Sequence, residues 1–220
     1  MLSELAREQM VQQQVRAWDV LDERVLDTFR RVPRELFVPV EHRYLAFADV
    51  DVPLPHGQHM LRPNLAGRLL QALELTGSER VLEIGAGSGF LTACLAQHAA
   101  QVTAFEIFGD LAELARANLA TFGARNAEVA SADATRSDVP SLQAIAYDAV
   151  VVTASLPVYD ERWQRLLASG GRLFAVIGAP PIMEAVLVRC VAEGGYVRES
   201  LFETVVDPLI NAPRTQEFTF

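Results

Sequence analysis

The chain has 220 residues, of which 50% are hydrophobic and 21% charged, a composition that fits one compact globular domain and excludes disorder as its main state. Its 19 basic and 28 acidic side chains give a net charge of −9, so nucleic acid, a polyanion, is not an expected partner. Since no apolar run approaches the roughly 20 residues that cross a bilayer and the start lacks the order of a secretion signal, we expect a cytoplasmic protein with no membrane partner.

Residues 1–63 are predicted to form a helical and loop extension that covers a binding site. Residues 5–29 are rich in Gln, Arg, Glu and Leu, and apolar positions that include Val25 and Phe29 are spaced to form one helical face. Pro33 ends the helix, because proline disfavours helical geometry in the preceding residue and has no N–H to donate. The Asp, Pro and Gly residues that follow predict loops rather than a packed sheet element before Pro63, and loops often carry binding chemistry.

Residues 64–220 are predicted to form the core domain, because apolar strands there alternate with amphipathic helices. This pattern is typical of a doubly wound α/β fold with a mostly parallel sheet covered on both faces. The predicted helices span about 64–75, 89–98 and 109–122, and the predicted strands span 80–84, 102–105, 127–130, 147–152 and 172–177. Two further runs, 185–191 and 196–204, joined by the turn Glu193-Gly194-Gly195, predict an antiparallel hairpin at the sheet edge and bring the total to seven strands.

A glycine-rich turn, Glu83-Ile84-Gly85-Ala86-Gly87-Ser88-Gly89, lies between the first strand of this domain and its following helix. Glycine permits a tight turn and a close approach of the backbone to a ligand. The dinucleotide fingerprint requires a glycine three residues after the second one, where this chain has Phe90, and no Lys-Ser or Lys-Thr pair completes a phosphate loop. These departures favour a nucleoside ligand without a phosphate chain.

Polar side chains follow the neighbouring strands at the same edge of the predicted sheet. Glu106 ends the second strand, where a carboxylate accepts hydrogen bonds from a ribose diol in this architecture, and Asp133 follows the third. Asp133 could accept from an exocyclic adenine amine, and Thr153 directly follows the predicted fourth strand. The alternative is that the carboxylates only cap helices. No metal site is expected, because the only two cysteines lie far apart within apolar stretches.

These motifs resemble those of class I S-adenosylmethionine-dependent methyltransferases, whose signature is an acidic residue followed by alternating glycines. More narrowly, the chain resembles the protein-L-isoaspartate O-methyltransferase family in the blocks 32–38, 53–54, 57–58, 81–96, 152–154 and 208–209. The resemblance implies a cytosolic enzyme that methylates stray carboxylates at isoaspartyl sites of damaged proteins or peptides, with S-adenosyl-L-methionine as cofactor. The candidate cofactor-binding residues are then Glu83, Gly85, Gly87, Gly89, Glu106, Asp133 and Thr153.

One block departs from the family pattern. Where the family has a Thr-Ile-Ser-like run followed by Gln-Pro, this chain has His59-Met60-Leu61-Arg62-Pro63, so Leu61 replaces a hydroxyl residue linked to catalysis. A carboxylate acceptor is already ionised at neutral pH and needs no general base, so the hydroxyl contributes an orienting hydrogen bond of about 1 kcal/mol. Arg62 is a candidate to dock a substrate carboxylate, and His59 or His56 to orient or deprotonate a different nucleophile. Each histidine could instead be an ordinary surface side chain.

Three functions stay open at this point. The first is carboxyl methylation of isoaspartyl sites, with His59 and Arg62 as candidate catalytic residues. The second is a methyltransferase of the same fold with another acceptor, which Leu61 favours. The third is a cofactor-binding module without turnover. The oligomeric state is not predicted.

Overall fold

The computed structural model describes residues 2–136, 139, 142, 145–192 and 194–214. The helices are α1 (Leu2–Met10), α2 (Glu23–Arg31), α3 (Arg34–Phe37), α4 (Pro63–Leu73), α5 (Phe90–Ala96) and α6 (Gly109–Phe122). The strands are β1 (Val52–Leu54), β2 (Gln58–Met60), β3 (Arg80–Ile84), β4 (Gln101–Glu106), β5 (Ala127–Ser131), β6 (Tyr147–Leu156), β7 (Leu167–Ala179), β8 (Ile182–Ala192) and β9 (Gly195–Thr204). Among these residues no helix has the length and apolar character needed to cross a membrane.

Seven strands form one sheet in the order β5-β4-β3-β6-β7-β8-β9. The strands from β5 to β7 are parallel, and β8 and β9 add an antiparallel hairpin at one edge. The predicted doubly wound α/β fold with seven strands is therefore confirmed. The predicted turn of the hairpin includes Glu193, which lies outside the described residues.

The core forms on both faces of this sheet because successive side chains of a strand point to opposite faces. In β3, Val81 packs in the larger apolar cluster, whereas Leu82 and Ile84 pack in the cluster on the other face. The larger cluster also contains Phe29 and Phe37 from the N-terminal residues. The extension of residues 1–63 therefore shares one hydrophobic core with the sheet.

The N-terminal helix is interrupted, in contrast to the regular helix predicted for residues 5–29. After α1 the chain widens into a π-turn at Val11–Val15, continues as a 3-10 turn, and reaches Asp19, whose φ of 61° ends the helical run. A new helix, α2, then begins where the Asp22 carboxylate accepts a hydrogen bond of 2.9 Å from the Arg24 amide. This N-cap supplies an acceptor for a free amide at the helix start, so two short helices replace one long one.

The expectation of loops without a sheet element before Pro63 is wrong at one place. Strands β1 and β2 pair antiparallel, with Val52 opposite Met60, and form a separate two-stranded sheet. The turn between them uses His56 and Gly57, both with positive φ. Because each strand has only three residues, its formation depends on this pairing and on the burial of Val52 and Met60 rather than on local propensity.

Candidate active site

A cavity of about 470 Å³ opens at the carboxyl ends of the parallel strands. This is the edge at which open α/β sheets bind ligands, and the volume suits a small molecule. Its wall combines the ends of β3, β4 and β6 with the β1–β2 hairpin and residues 205–210. The candidate residues that line it are His59, Arg62, Gly85, Gly87, Glu106, Asp133 and Thr153.

The glycine turn adopts a backbone that side chains would obstruct. Gly85 and Gly87 have φ values of 96° and 53°, a region that residues with a Cβ rarely adopt. A Cβ on Gly85 would collide with the hydroxyl of Thr153. That hydroxyl lies 2.9 Å from the carbonyl oxygens of Ile84 and Gly85 and donates to the end of β3. Thr153 therefore holds the turn in place, and the turn leaves open the space of the cavity.

Glu106 is fixed beside this turn by two backbone amides. The Gly87 amide donates to its Oε2 at 2.8 Å, and the Phe108 amide donates to its Oε1 at 3.1 Å. The carboxylate is 5% exposed and lines the cavity. Since each oxygen carries a second lone pair, both remain able to accept from a diol. Helix capping explains only part of this arrangement, because Phe108 is the N-cap residue of α6 whereas Gly87 belongs to the glycine turn.

Asp133 is held in a similar way two residues after β5. Its Oδ1 accepts from the Thr135 amide and hydroxyl, at 2.9 and 2.6 Å, and its Oδ2 accepts from the Asn211 amide group at 2.9 Å. Burial alone raises the pKa of Asp133, but the hydrogen bonds from Thr135 and Asn211 outweigh it and hold the pKa below its ordinary value. The side chain is therefore an ionised acceptor at neutral pH.

Glu83 does not line the main cavity, in contrast to its predicted contact with the cofactor. Strand alternation places it on the same face as Val81, where it is fully buried beside a smaller cavity of about 50 Å³ beneath the glycine turn. Burial raises the pKa of Glu83 to about 8, the Thr92 hydroxyl opposes the rise, and the negative charge of Glu106 adds to it. Glu83 is thus mainly neutral at pH 7.

Gly89 also lies outside the main cavity. A Cβ at this position would lie 3.2 Å from the Ala115 backbone. Gly89 therefore allows α5 to approach α6 closely, and its predicted contact with the cofactor stays a prediction.

On the opposite side of the cavity, His59 forms a pair with Asp207. Its Nδ1 lies 2.8 Å from Asp207 Oδ2, and both side chains are more than a third exposed. Asp207 reaches this position because the chain after β9 joins the sheet at Ser155, whose amide donates to the Asp207 carbonyl at 2.8 Å. The pair orients the imidazole and leaves Nε2 as its second polar atom.

Arg62 is engaged with Asp51 on the same side. Its Nη2 lies 2.7 Å from Asp51 Oδ2, and its own amide donates to Asp51 Oδ1 at 3.1 Å. The carboxylate thus occupies the guanidinium that was predicted to dock a substrate. His56 lies elsewhere, stacked on Phe108 at 4.1 Å with Nε2 2.9 Å from both carboxylate oxygens of Asp110.

Two partners in this region were not found by sequence reasoning, namely Asp51, which pairs with Arg62, and Asp207, which pairs with His59. Asp51 lies in the segment that was predicted to form loops, and Asp207 directly precedes Pro208 of a family block. This position next to a predicted loop or motif was the only sequence signal that could have identified them as site residues. Asp207 is 148 residues from His59, and only the fold brings the two together.

The chain is similar to known proteins of one family over most of its length. The model of the protein-L-isoaspartate(D-aspartate) O-methyltransferase family matches residues 5–207. The chain belongs to this family. A protein-L-isoaspartate O-methyltransferase of Rhodopseudomonas palustris strain CGA009 is 40% identical over 94% of this chain and 94% of its own length. A second, from strain HaA2, is 45% identical over 79% of this chain and 69% of its own length.

A solved structure supports the fold assignment. A protein-L-isoaspartate O-methyltransferase from Plasmodium falciparum, crystallised with S-adenosyl-L-homocysteine, superposes with a TM-score of 0.79. It covers 92% of this chain and 97% of its own, at 20% identity. At that identity the likeness establishes the methyltransferase fold, and the site must be argued from the residues of this chain.

Proposed function

We propose that this chain is an S-adenosyl-L-methionine-dependent carboxyl O-methyltransferase that methylates isoaspartyl residues of damaged proteins and peptides. Membership of the family supports the reaction. The observation that carries the proposal is one cavity with two fixed carboxylates, Glu106 and Asp133, on one side and the His59–Asp207 pair on the other. The side with Glu106 and Asp133 suits the binding of a nucleoside, and the side with His59 and Asp207 suits the binding of the methyl acceptor.

The residues present fit the cofactor. Glu106 offers two acceptor oxygens for a ribose diol, and Asp133 offers an ionised acceptor for an amine. The turn at Gly85 and Gly87 lines the cavity, where the amino-acid end of the molecule would lie. When bound, S-adenosyl-L-methionine supplies a methyl group on a positively charged sulfur.

The chain's own residues have two tasks in this reaction. The first is to hold the acceptor in line with the methyl group, because alignment provides much of the rate in such displacements. The second is to exclude water, because opposite charges are lost as a carboxylate is methylated and a less aqueous site favours that change. Since the acceptor is already an anion, no residue has to remove a proton from it.

We infer that His59 takes over the orienting role of the missing hydroxyl at Leu61. Asp207 accepts a hydrogen bond from Nδ1–H, and when the imidazole is doubly protonated its Nε2–H can donate to one oxygen of the acceptor carboxylate. Arg62 can bind the substrate carboxylate only if its ion pair with Asp51 opens or if one of its N–H groups is free to donate to both. It is therefore the weaker of the two candidates.

A second candidate function is methyl transfer to a different acceptor. The same His59–Asp207 pair that can donate to a carboxylate can also act as a general base for a neutral nucleophile. Leu61 favours this alternative, because it removes the hydroxyl associated with the family reaction.

Methyl ester formation on a matched pair of peptides tests the proposal. One peptide carries an isoaspartyl residue and its twin carries aspartate in the same sequence. We expect base-labile methylation of the first peptide alone. Cofactor consumption with a cell extract but with neither peptide would select the second candidate, and cofactor binding without any transfer would indicate a module without turnover.

We also propose a cytoplasmic location and no nucleic-acid partner. Cys94 and Cys190 are both free and buried, which is consistent with a reducing compartment. The net charge of −9 opposes association with a polyanion.

A further inference from the structure

Arg34, in the short helix α3, is completely buried. Burial lowers the pKa of its guanidinium to about 10, so the group is still charged at neutral pH. Among the described residues no carboxylate forms a salt bridge with it, the negative charge of Asp51 acts on it only from farther away, and its Nε and Nη1 have no hydrogen-bond partner. A buried charge without a counter-ion opposes folding, and an apolar side chain of similar size would avoid that cost.

The contacts that Arg34 does make join one wall of the cavity to the helix that follows the glycine turn. Its Nη2 donates to the carbonyl oxygen of Leu61 at 2.9 Å. Its guanidinium carbon lies 4.7 Å from the centre of the Phe90 ring, within the range of a cation–π contact. Leu61 belongs to residues 58–62, which comprise β2 and the two residues before α4 and are here called the acceptor-side loop. Phe90 is the first residue of α5, directly after the glycine turn.

The Phe90 end of this link is rigid. Phe29 and Phe37 pack edge-on against the Phe90 ring, with centroids at 6.0 and 5.7 Å. Arg34 therefore extends from a fixed aromatic cluster to one backbone atom of the loop that also carries His59 and Arg62. Because Leu61 presents no hydroxyl, residue 61 is held through its backbone, and the Arg34 contact adds to the His59–Asp207 and Arg62–Asp51 pairs that hold its neighbours.

We propose that Arg34 is a positioning residue, which fixes the acceptor-side loop relative to the glycine turn through the Leu61 carbonyl. The inference rests on the proposed function, since it assigns the acceptor to this loop. Arg34 does not reach the reacting atoms. Its effect is on alignment, and displacement of a catalytic group by about 1 Å can lower a rate by about 100-fold.

The test compares Arg34→Met with Arg31→Met, which removes an exposed arginine from the same extension. We expect Arg34→Met to lower kcat on the isoaspartyl peptide by about 10- to 100-fold. The Kd for S-adenosyl-L-homocysteine should change by less than about threefold, because Phe29 and Phe37 still hold Phe90 beside the glycine turn. Amide hydrogen exchange in residues 58–62 should accelerate, and Arg31→Met should change none of these quantities.

Two further variants separate alignment from a general loss of structure. Arg34→Lys retains a charge and should recover part of kcat. Arg34→Ala leaves a cavity, and low concentrations of guanidinium ion, below those that unfold the protein, should raise its kcat. If Arg34→Met does not fold, these two variants decide the matter.

Unchanged kcat and unchanged exchange in residues 58–62 in the folded Arg34 variants would overturn the proposal. A parallel loss of cofactor affinity and of kcat, without rescue, would also overturn it and indicate a purely structural role. If the parent protein methylates no isoaspartyl peptide, the proposed function fails, whereas hydrogen exchange in the loop still decides whether Arg34 positions it.

Discussion

Replacement of Glu106 tests the cofactor side of the site most sharply. The carboxylate is held by the amides of Gly87 and Phe108, so it meets a ligand without first changing its position. Hydrogen bonds to a charged group contribute about 1.5–3 kcal/mol each, and a ribose diol can form two of them. Glu106→Ala should therefore weaken cofactor binding by about 3 kcal/mol or more, which corresponds to at least about a 100-fold rise in Kd.

The Glu106→Gln variant refines this expectation. The amide keeps one carbonyl oxygen but turns the other acceptor into a donor, which faces the N–H of Gly87 or Phe108. We expect about a tenfold rise in Kd, smaller than for alanine, because one ribose contact can survive. The exposed Glu113 on α6 provides the matched control, and Glu113→Gln should leave the Kd unchanged.

Isothermal titration calorimetry with S-adenosyl-L-homocysteine measures the effect without turnover. A Glu106→Ala protein that is folded and binds the ligand within twofold of the parent would refute the placement of the ribose at this carboxylate. A loss of binding in Glu113→Gln would show that the effect is not specific to the cavity.

Two further predictions concern the other acidic and basic groups of the site. The pKa of Glu83 is 4.5 in an unfolded chain and about 8 in the folded protein. The folded state therefore holds the proton more tightly, and the contribution of Glu83 to stability is complete below pH 4.5 and is lost as the pH rises toward 8. Over this range the free energy of unfolding should fall by up to about 1.4 kcal/mol per pH unit. Urea unfolding of Glu83→Gln should show a flatter decline over this range than the parent or the exposed-site control Glu128→Gln, and equal slopes would contradict the assignment. His59→Ala should lower kcat/KM on the isoaspartyl peptide by about 10- to 100-fold, through loss of a hydrogen bond to a charged group. Asp207→Asn should add little in the His59→Ala background, whereas additive effects would show that the two residues do not act together.

The parallel strands could be predicted because they are nearly continuous apolar runs. Strand β3 was predicted with its observed limits, and β6 from residue 147 onward. Such runs are typical of strands buried on both faces. Strand β7 is longer than its predicted range of 172–177 because its pairing with β6 and β8 extends over Leu167–Ala179. Because this pairing depends on the neighbouring strands, the sequence pattern of β7 alone does not show where the strand begins and ends.

The site was predictable where residues follow strands and not where distant segments meet. Glu106 and Asp133 line the cavity because strand ends meet at one edge of the sheet. The partner of His59 could not be predicted, because Asp207 reaches it only through the bridge between Ser155 and Pro208. The burial of Glu83 could have been predicted, because residues two apart in a strand face the same side and Val81 of β3 is apolar. The glycine motif suggested a ligand contact instead.

The most direct test of the account is the transfer reaction itself. The purified protein is incubated with S-adenosyl-L-methionine and an equal mixture of an isoaspartyl peptide and its aspartyl twin, and both peptides are analysed by mass spectrometry. We predict that the isoaspartyl peptide alone gains one methyl ester, with a rate that falls when His59 is replaced. Labelling of both peptides alike, or of neither while the cofactor binds, would contradict the assignment of isoaspartyl carboxylates as the acceptor.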